Sequence, residues 1–174
     1  MYYFLSYFQV QAVSPGARIQ YVVPTGNFGD VLAGYYAKRM GLPMDKFVIA
    51  TNSNDILARF WKTGRYERVE LKVEAAASEN GASGQKQPVV AVQETLSPAM
   101  DILVSSNFER LLWYLAYEAK GGGSVDASCA EIDGWMKNVK YNGRVEVPRN
   151  VLELAKRDFT AERVSDDQVN TINR

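Results

Sequence analysis

Histidine is absent from this chain of 174 residues, and cysteine occurs once, at Cys129. Without an imidazole there is no Ser-His-Asp or Cys-His catalysis, no His-ligated zinc and no histidine pH switch within the chain. A lone cysteine forms neither an internal disulfide nor a multi-cysteine zinc site, and it favours a reducing compartment, here the cytoplasm. Charge of one sign is lacking too, since 20 basic residues offset 20 acidic ones. No net field therefore draws the chain to nucleic acid or to an anionic membrane. No basic block interleaved with aromatics suggests an RNA surface either. Long apolar runs are missing. The opening, Met1-Tyr2-Tyr3-Phe4-Leu5-Ser6-Tyr7-Phe8-Gln9-Val10, has no basic flank and is interrupted by Ser6 and Gln9. It reads neither as a signal peptide nor as a membrane span. Its aromatics at positions 3, 4, 7 and 8 predict a core-facing helix that ends at Ser14-Pro15-Gly16. The rest of the composition is ordinary for a globular core, with 47% hydrophobic and 23% charged residues.

One stretch organises what is present: Val22-Val23-Pro24-Thr25-Gly26-Asn27-Phe28-Gly29-Asp30-Val31. Residues 18–23 have strand composition. The run breaks at Pro24, passes a glycine-punctuated turn and enters a helical pattern over 30–40, which stops at Gly41 with Pro43 beyond. Strand, glycine-rich turn and helix together gather backbone N–H groups around an anion. The first helical turn has unpaired donors, the macrodipole adds positive potential, and glycines remove obstructing side chains. The turn holds no lysine, so it is not a Walker-type loop; Asn27 offers an amide donor instead. A phosphate-sized anion fits this pattern, and so does a tight strand-to-helix turn with no ligand.

Residues 46–50 read as a second buried strand, giving a βαβ unit with parallel pairing. The turn after it, Thr51-Asn52-Ser53-Asn54-Asp55, leads to a helix over 56–63 that stops at Gly64. Both turns belong at the carboxyl edge of the sheet, where ligands collect. Asn54 or Asp55 is expected to cap the helix, and Asn52 to serve capping or loop hydrogen bonding, with the pocket as the alternative. Residues 73–88 read as a mobile surface loop, and Val89, Val90, Ala91 and Val92 as a short strand. Ser97, Asp101, Ser105, Ser106 and Asn107 are the polar candidates of the next block. Ser106 and Glu109 fit a capping box ahead of the apolar face of Leu111, Leu112, Leu115 and Ala116. After a flexible Gly121-Gly122-Gly123-Ser124 connector come helices over 130–140 and 148–158, a strand over 159–164 and a capping box at Ser165 and Gln168. The organisation expected is a βαβ core with the anion loop over 1–72, the loop over 73–88, and the remaining strand and helices of the same domain over 89–174.

Three blocks are more specific than this physics: VPTGNFGDVLAGYYAKRMGLP, IATNSNDILARFWKTGRYE and TLSPAMDILVSSNFERLLWYL. In this order they resemble threonine synthase of the fungal type, and they cover about a third of the chain, more than a chance motif match does. The resemblance implies an α/β chain, part of the three-layer αβα large domain of pyridoxal-phosphate (PLP) fold type II, with a helical C-terminal portion. It implies a carbon–oxygen lyase acting on phosphates, which converts O-phospho-L-homoserine and water to L-threonine and phosphate. Gly26, Asn27, Phe28, Gly29 and Asp30 match the family's PLP-phosphate loop. Gly26, Phe28 and Gly29 would supply N–H groups or close approach, and Asn27 an amide. Asp30, an anion, suits the first helical turn rather than a phosphate.

The family's Schiff-base lysine lies upstream of any segment present here, and its pyridine-facing threonine segment lies downstream. The chain is therefore expected to be an internal piece with no catalytic lysine of its own, and inactive alone. Lys38, Lys46 and Lys62 sit at element ends or among charges, where lysines stay solvated. Two other readings use the same residues: a non-catalytic phosphate- or nucleotide-binding α/β module, and an interaction piece without a ligand.

Overall fold

The computed structural model describes residues 1–68 and 92–172. The loop expected over 73–88 lies outside them, as does the strand expected over 89–92 except for Val92, which has no regular structure. In chain order the elements are α1 (Tyr2–Val13), β1 (Val22–Pro24), α2 (Gly29–Arg39), β2 (Phe47–Thr51), α3 (Ile56–Thr63) and β3 (Arg65–Glu67). After a single 3-10 turn at Pro98–Met100 come α4 (Phe108–Ala119), α5 (Val125–Asn142), β4 (Arg144–Glu146), α6 (Arg149–Asp158), β5 (Phe159–Arg163) and α7 (Asp166–Ile172). The chain is thus α/β, with the strands of its main sheet parallel and its C-terminal portion mostly helical.

That sheet has the order β1-β2-β5. Val23 stands opposite Ile49, and Ile49 opposite Ala161. Phe47, Ile49 and Thr51 are buried while Val48 and Ala50 between them are half-buried, as in a strand covered on both sides. Because the strands run the same way, the turns that follow β1 and β2 emerge at one edge. Local signals explain the helix ends. α2 has Asp30 in its first turn and Lys38 and Arg39 in its last, complementing its dipole. It stops at Gly41, whose φ of +100° suits glycine, and α3 stops at Gly64, with φ +78°. Ser165 and Gln168 form the expected reciprocal box.

Packing centres on aromatic rings. Phe28 lies parallel to Trp61 with centroids 6.0 Å apart and meets Phe108 edge-on at 5.3 Å. Phe108 in turn touches Phe60 at 4.8 Å and Tyr66 at 4.9 Å. Burying each such ring stabilises the fold by about 2 kcal/mol. Gly34 lets α2 approach the sheet: a Cβ there would lie 2.6 Å from Phe47 Cε1 and 2.7 Å from Tyr3 Cζ. Lys38 reaches the buried Asp158 at 3.0 Å and Arg157 meets the same carboxylate at 2.7 Å, so α2 and α6 share one charge cluster. Desolvation pushes the Asp158 carboxyl up, but the hydrogen bonds from Arg157 and Lys38 outweigh it and hold it below the usual carboxylate range.

Several expectations change. β1 is shorter than the apolar run, although Ile19 and Tyr21 still accept main-chain bonds from Asp45 and Val48. α1 inserts Tyr3 into the core, but Phe8 is 61% exposed, because the helix leaves the core after its first turns. The helix expected over 130–140 begins earlier, at Val125, where Ser124 accepts from the Ala127 N–H as a cap. Asp55 occupies the N-cap position of α3 without a capping bond and pairs with Arg59 instead, at 2.8 Å. Among the described residues no helix is long and apolar enough to cross a membrane.

Candidate anion-binding site at the carboxyl edge

β1 ends in two anchors. The Thr25 N–H donates to Ala50 O at 2.7 Å, and the Thr25 hydroxyl to Val23 O at 2.6 Å. Beyond them the chain turns sharply. Phe28 takes φ 63° and ψ 9°, a left-handed conformation that costs a non-glycine residue roughly 1–2 kcal/mol. Its buried ring, held between Trp61 and Phe108, offsets that cost. Phe28 is therefore a core anchor by its side chain and a loop residue only by its backbone, and α2 starts at the next residue.

Residues 24–31 line an open hollow of about 450 Å³, with Ala99, Met100 and Asn107 opposite. The N–H groups of Gly26, Asn27, Phe28, Gly29 and Asp30 have no acceptor among the described residues. Gly26 has a steric reason to be glycine, since a Cβ there would lie 3.0 Å from Met100 Cα. At Gly29 a Cβ would meet only the Asn107 amide, at 3.6 Å. Asp30 is turned to α1. Its carboxylate accepts from the Tyr2 hydroxyl and its carbonyl from the Tyr3 hydroxyl, each at 3.0 Å. Burial first, and then the bond to Asp30, raises the pKa of Tyr2.

Asn27 is held by the segment before α4. Its side-chain oxygen accepts from the Ser106 N–H at 2.6 Å and the Ser106 hydroxyl at 2.7 Å. Its main-chain oxygen accepts from the Asn107 N–H at 3.3 Å and the Asn107 amide at 3.0 Å. Ser106 is thus not the cap of α4: Asn107 stands at the N-cap position, without a side-chain capping bond. The local capping pattern loses to a partner distant in sequence.

The other polar candidates gather beside this loop. Asp101 accepts from the Thr95 N–H (3.0 Å), the Thr95 hydroxyl (2.7 Å) and the side-chain amides of Asn52 (2.6 Å) and Asn54 (3.0 Å). Partial desolvation pushes its carboxyl up, and these bonds outweigh that and hold it below its ordinary value. Asn52 therefore serves the loops. Ser97 donates its N–H to the Thr95 hydroxyl, and the Ser105 hydroxyl is buried without a partner among the described residues. Ala99 and Met100, which face the glycine turn, carry no polar group that could have marked them in the sequence. A larger hollow, about 690 Å³, lies along β5 among Lys46, Arg59, Lys156 and Arg163. Arg59 and Arg163 there already pair with Asp55, and none of the free amides of the turn lines it.

Parallel strands that deliver a glycine-bearing turn to their carboxyl edge, with a helix opening on unpaired amides, make an α/β unit of the kind in which ligands collect at the strand ends. A scan against family models finds no match. The threonine synthase of Schizosaccharomyces pombe is 51% identical over 168 residues, which cover 96% of this chain and 31% of that protein. That of Saccharomyces cerevisiae is 49% identical, covering 96% and 29%. Among solved structures, yeast threonine synthase is similar with a TM-score of 0.81 at 47% identity, covering 98% of this chain and 30% of that one. A PLP-bound threonine synthase from Brucella melitensis has a TM-score of 0.71 at 37% identity, covering 96% and 29%. This chain belongs to the threonine synthase family, in agreement with the fungal-type resemblance of its three blocks. It spans less than a third of the length of these curated relatives.

Proposed function

We propose that this chain is the cofactor-phosphate segment of a PLP-dependent threonine synthase, a carbon–oxygen lyase that turns O-phospho-L-homoserine and water into L-threonine and phosphate. The single observation carrying this is the row of unpaired N–H groups from Gly26 to Asp30 along an open hollow at the strand ends. The cofactor's 5′-phosphate fits that donor set. Gly26, Asn27, Phe28 and Gly29 would hold it through main-chain amides and the dipole of α2, without a fixed cation. Asn27 adds its side-chain NH2 group, and Asp30 would steady the first turn through Tyr2 and Tyr3. When bound, PLP supplies an electron sink for the substrate, and the protein's part is to hold and orient it. The lone exposed Cys129 suits a reducing compartment, and we place the protein in the cytoplasm. The nucleotide-binding alternative rests on the same turn and has no further feature to support it.

Among the described residues no lysine lines the hollow. The expectation is that this chain alone binds PLP weakly and through its phosphate, and makes no threonine. Calorimetric titration with PLP and inorganic phosphate, followed by borohydride treatment and peptide mapping, tests this. Competition between the two ligands, with no reducible lysine adduct, is the expected result. A specific adduct on one lysine would overturn the predicted inactivity, and binding indifferent to phosphate would overturn the loop assignment.

A further inference from the structure

We propose that Ser106 and Asn107 are positioning residues that set the geometry of the phosphate cradle by fixing both carbonyl groups of Asn27. The inference rests on the reading of residues 26–30 as that cradle, and extends it to a segment distant in sequence.

A carbonyl oxygen has two acceptor sites, and both oxygens of Asn27 have two donors each. With Oδ1 saturated by Ser106, the NH2 end of the Asn27 side chain is the end left free for a ligand. The main-chain contact does something different. The Asn27 carbonyl and the Phe28 N–H belong to one planar trans peptide and point in opposite directions. Holding that carbonyl on Asn107 therefore fixes the direction of the Phe28 N–H, one of the five unpaired donors. The amide of Asn107 is itself locked, because its Oδ1 accepts from Arg110 Nη1 at 2.9 Å and so leaves Nδ2 for Asn27. Phe28 needs such support. A bulky residue in the left-handed region persists only where its surroundings over-determine it. Here Asn107 fixes the peptide before Phe28 while the next residue, Phe108, packs on its ring. A helix start whose own side chains do no capping is explained if those groups are engaged in aiming another loop.

The test compares PLP with pyridoxal, which lacks the phosphate, by equilibrium dialysis on the parent chain and on Asn107→Asp, Ser106→Ala and Ser106→Thr. Asn107→Asp keeps the partner of Arg110 but sets an oxygen against Asn27 O; its charge also faces the hollow, so the uncharged Ser106 pair is what decides the positioning role. Asn107→Asp is expected to weaken PLP about tenfold, and Ser106→Ala, which loses one hydrogen bond, about fivefold. Ser106→Thr keeps the hydroxyl and restores the parent value, and pyridoxal affinity is unchanged throughout. Equal weakening of both ligands, or none, would overturn the positioning role. A parent chain that binds the two ligands alike would overturn the cradle reading itself, and this inference with it. Should Asn107→Asp fail to fold, the Ser106 pair decides alone.

Discussion

Two turns leave the same edge of the sheet, one after β1 and one after β2, and they use their asparagine side chains differently. The second is closed on itself. Asn54 N–H donates to Asn52 Oδ1 at 2.9 Å, Asn54 also exchanges bonds with Gln93, and Asp101 accepts from the side-chain amides of Asn52 and Asn54. The first has both oxygens of Asn27 occupied by the segment before α4 and its N–H groups without acceptors among the described residues. Every helix leaves its first N–H groups without an intrahelical partner, and those of the first turn open onto a hollow of about 450 Å³, which supports the proposed site. Position at the strand ends qualified both turns, and the hollow lined by residues 24–31 singles out the first.

The largest expected effect on this contrast comes from Phe28→Ala, which removes the ring that holds the first turn in its left-handed conformation. Losing so buried an aromatic should cost about 3 kcal/mol or more, read from urea unfolding, and should abolish the preference for PLP over pyridoxal. Gly26→Ala comes next. Its Cβ meets main-chain atoms of Met100, so the 98–100 turn must shift, at about 1–3 kcal/mol, and the hollow narrows as it does.

The smallest effect probes the closed turn. Asp101→Asn exchanges a carboxylate that receives four hydrogen bonds for an amide that can receive fewer. The Asp101 carboxyl is held below its ordinary 3.8, so its stabilisation is complete above that pH and is lost as the pH falls through the lower folded value. Thermal melts should show the parent ahead at neutral pH and the two proteins converging in acid. A constant gap across that range would mean that Asp101 acts by shape and not by charge.

Elements with strong local signals were legible in the sequence. α2 and α3 have glycine stops, β2 and β5 have their strand composition, and the Ser165–Gln168 box closes as its spacing implies. The glycine turn was legible as a loop and by its resemblance. What escaped were the side-chain bonds and ring contacts set by distant partners. Ser106 fits a capping box as well as Ser165 does, yet its hydroxyl goes to Asn27, because the fold brings that oxygen closer than its own helix offers. Phe28 reads only as a backbone donor in a glycine-punctuated turn, because local sequence does not reveal that Trp61 and Phe108 enclose its ring. The antiparallel pair β3–β4 joins Tyr66 to Val145, and strands of three residues leave too little periodicity to detect.

Residues 106, 107 and 108 open a helix twelve residues long, and all three bear on the loop, two by hydrogen bonds and one by its ring. The far end of that helix is tied through Glu118 to Arg157, beside the cluster that joins α2 and α6. α4 is therefore a strut, braced at its start against the loop around residue 28 and at its end against the charges that join α2 to α6.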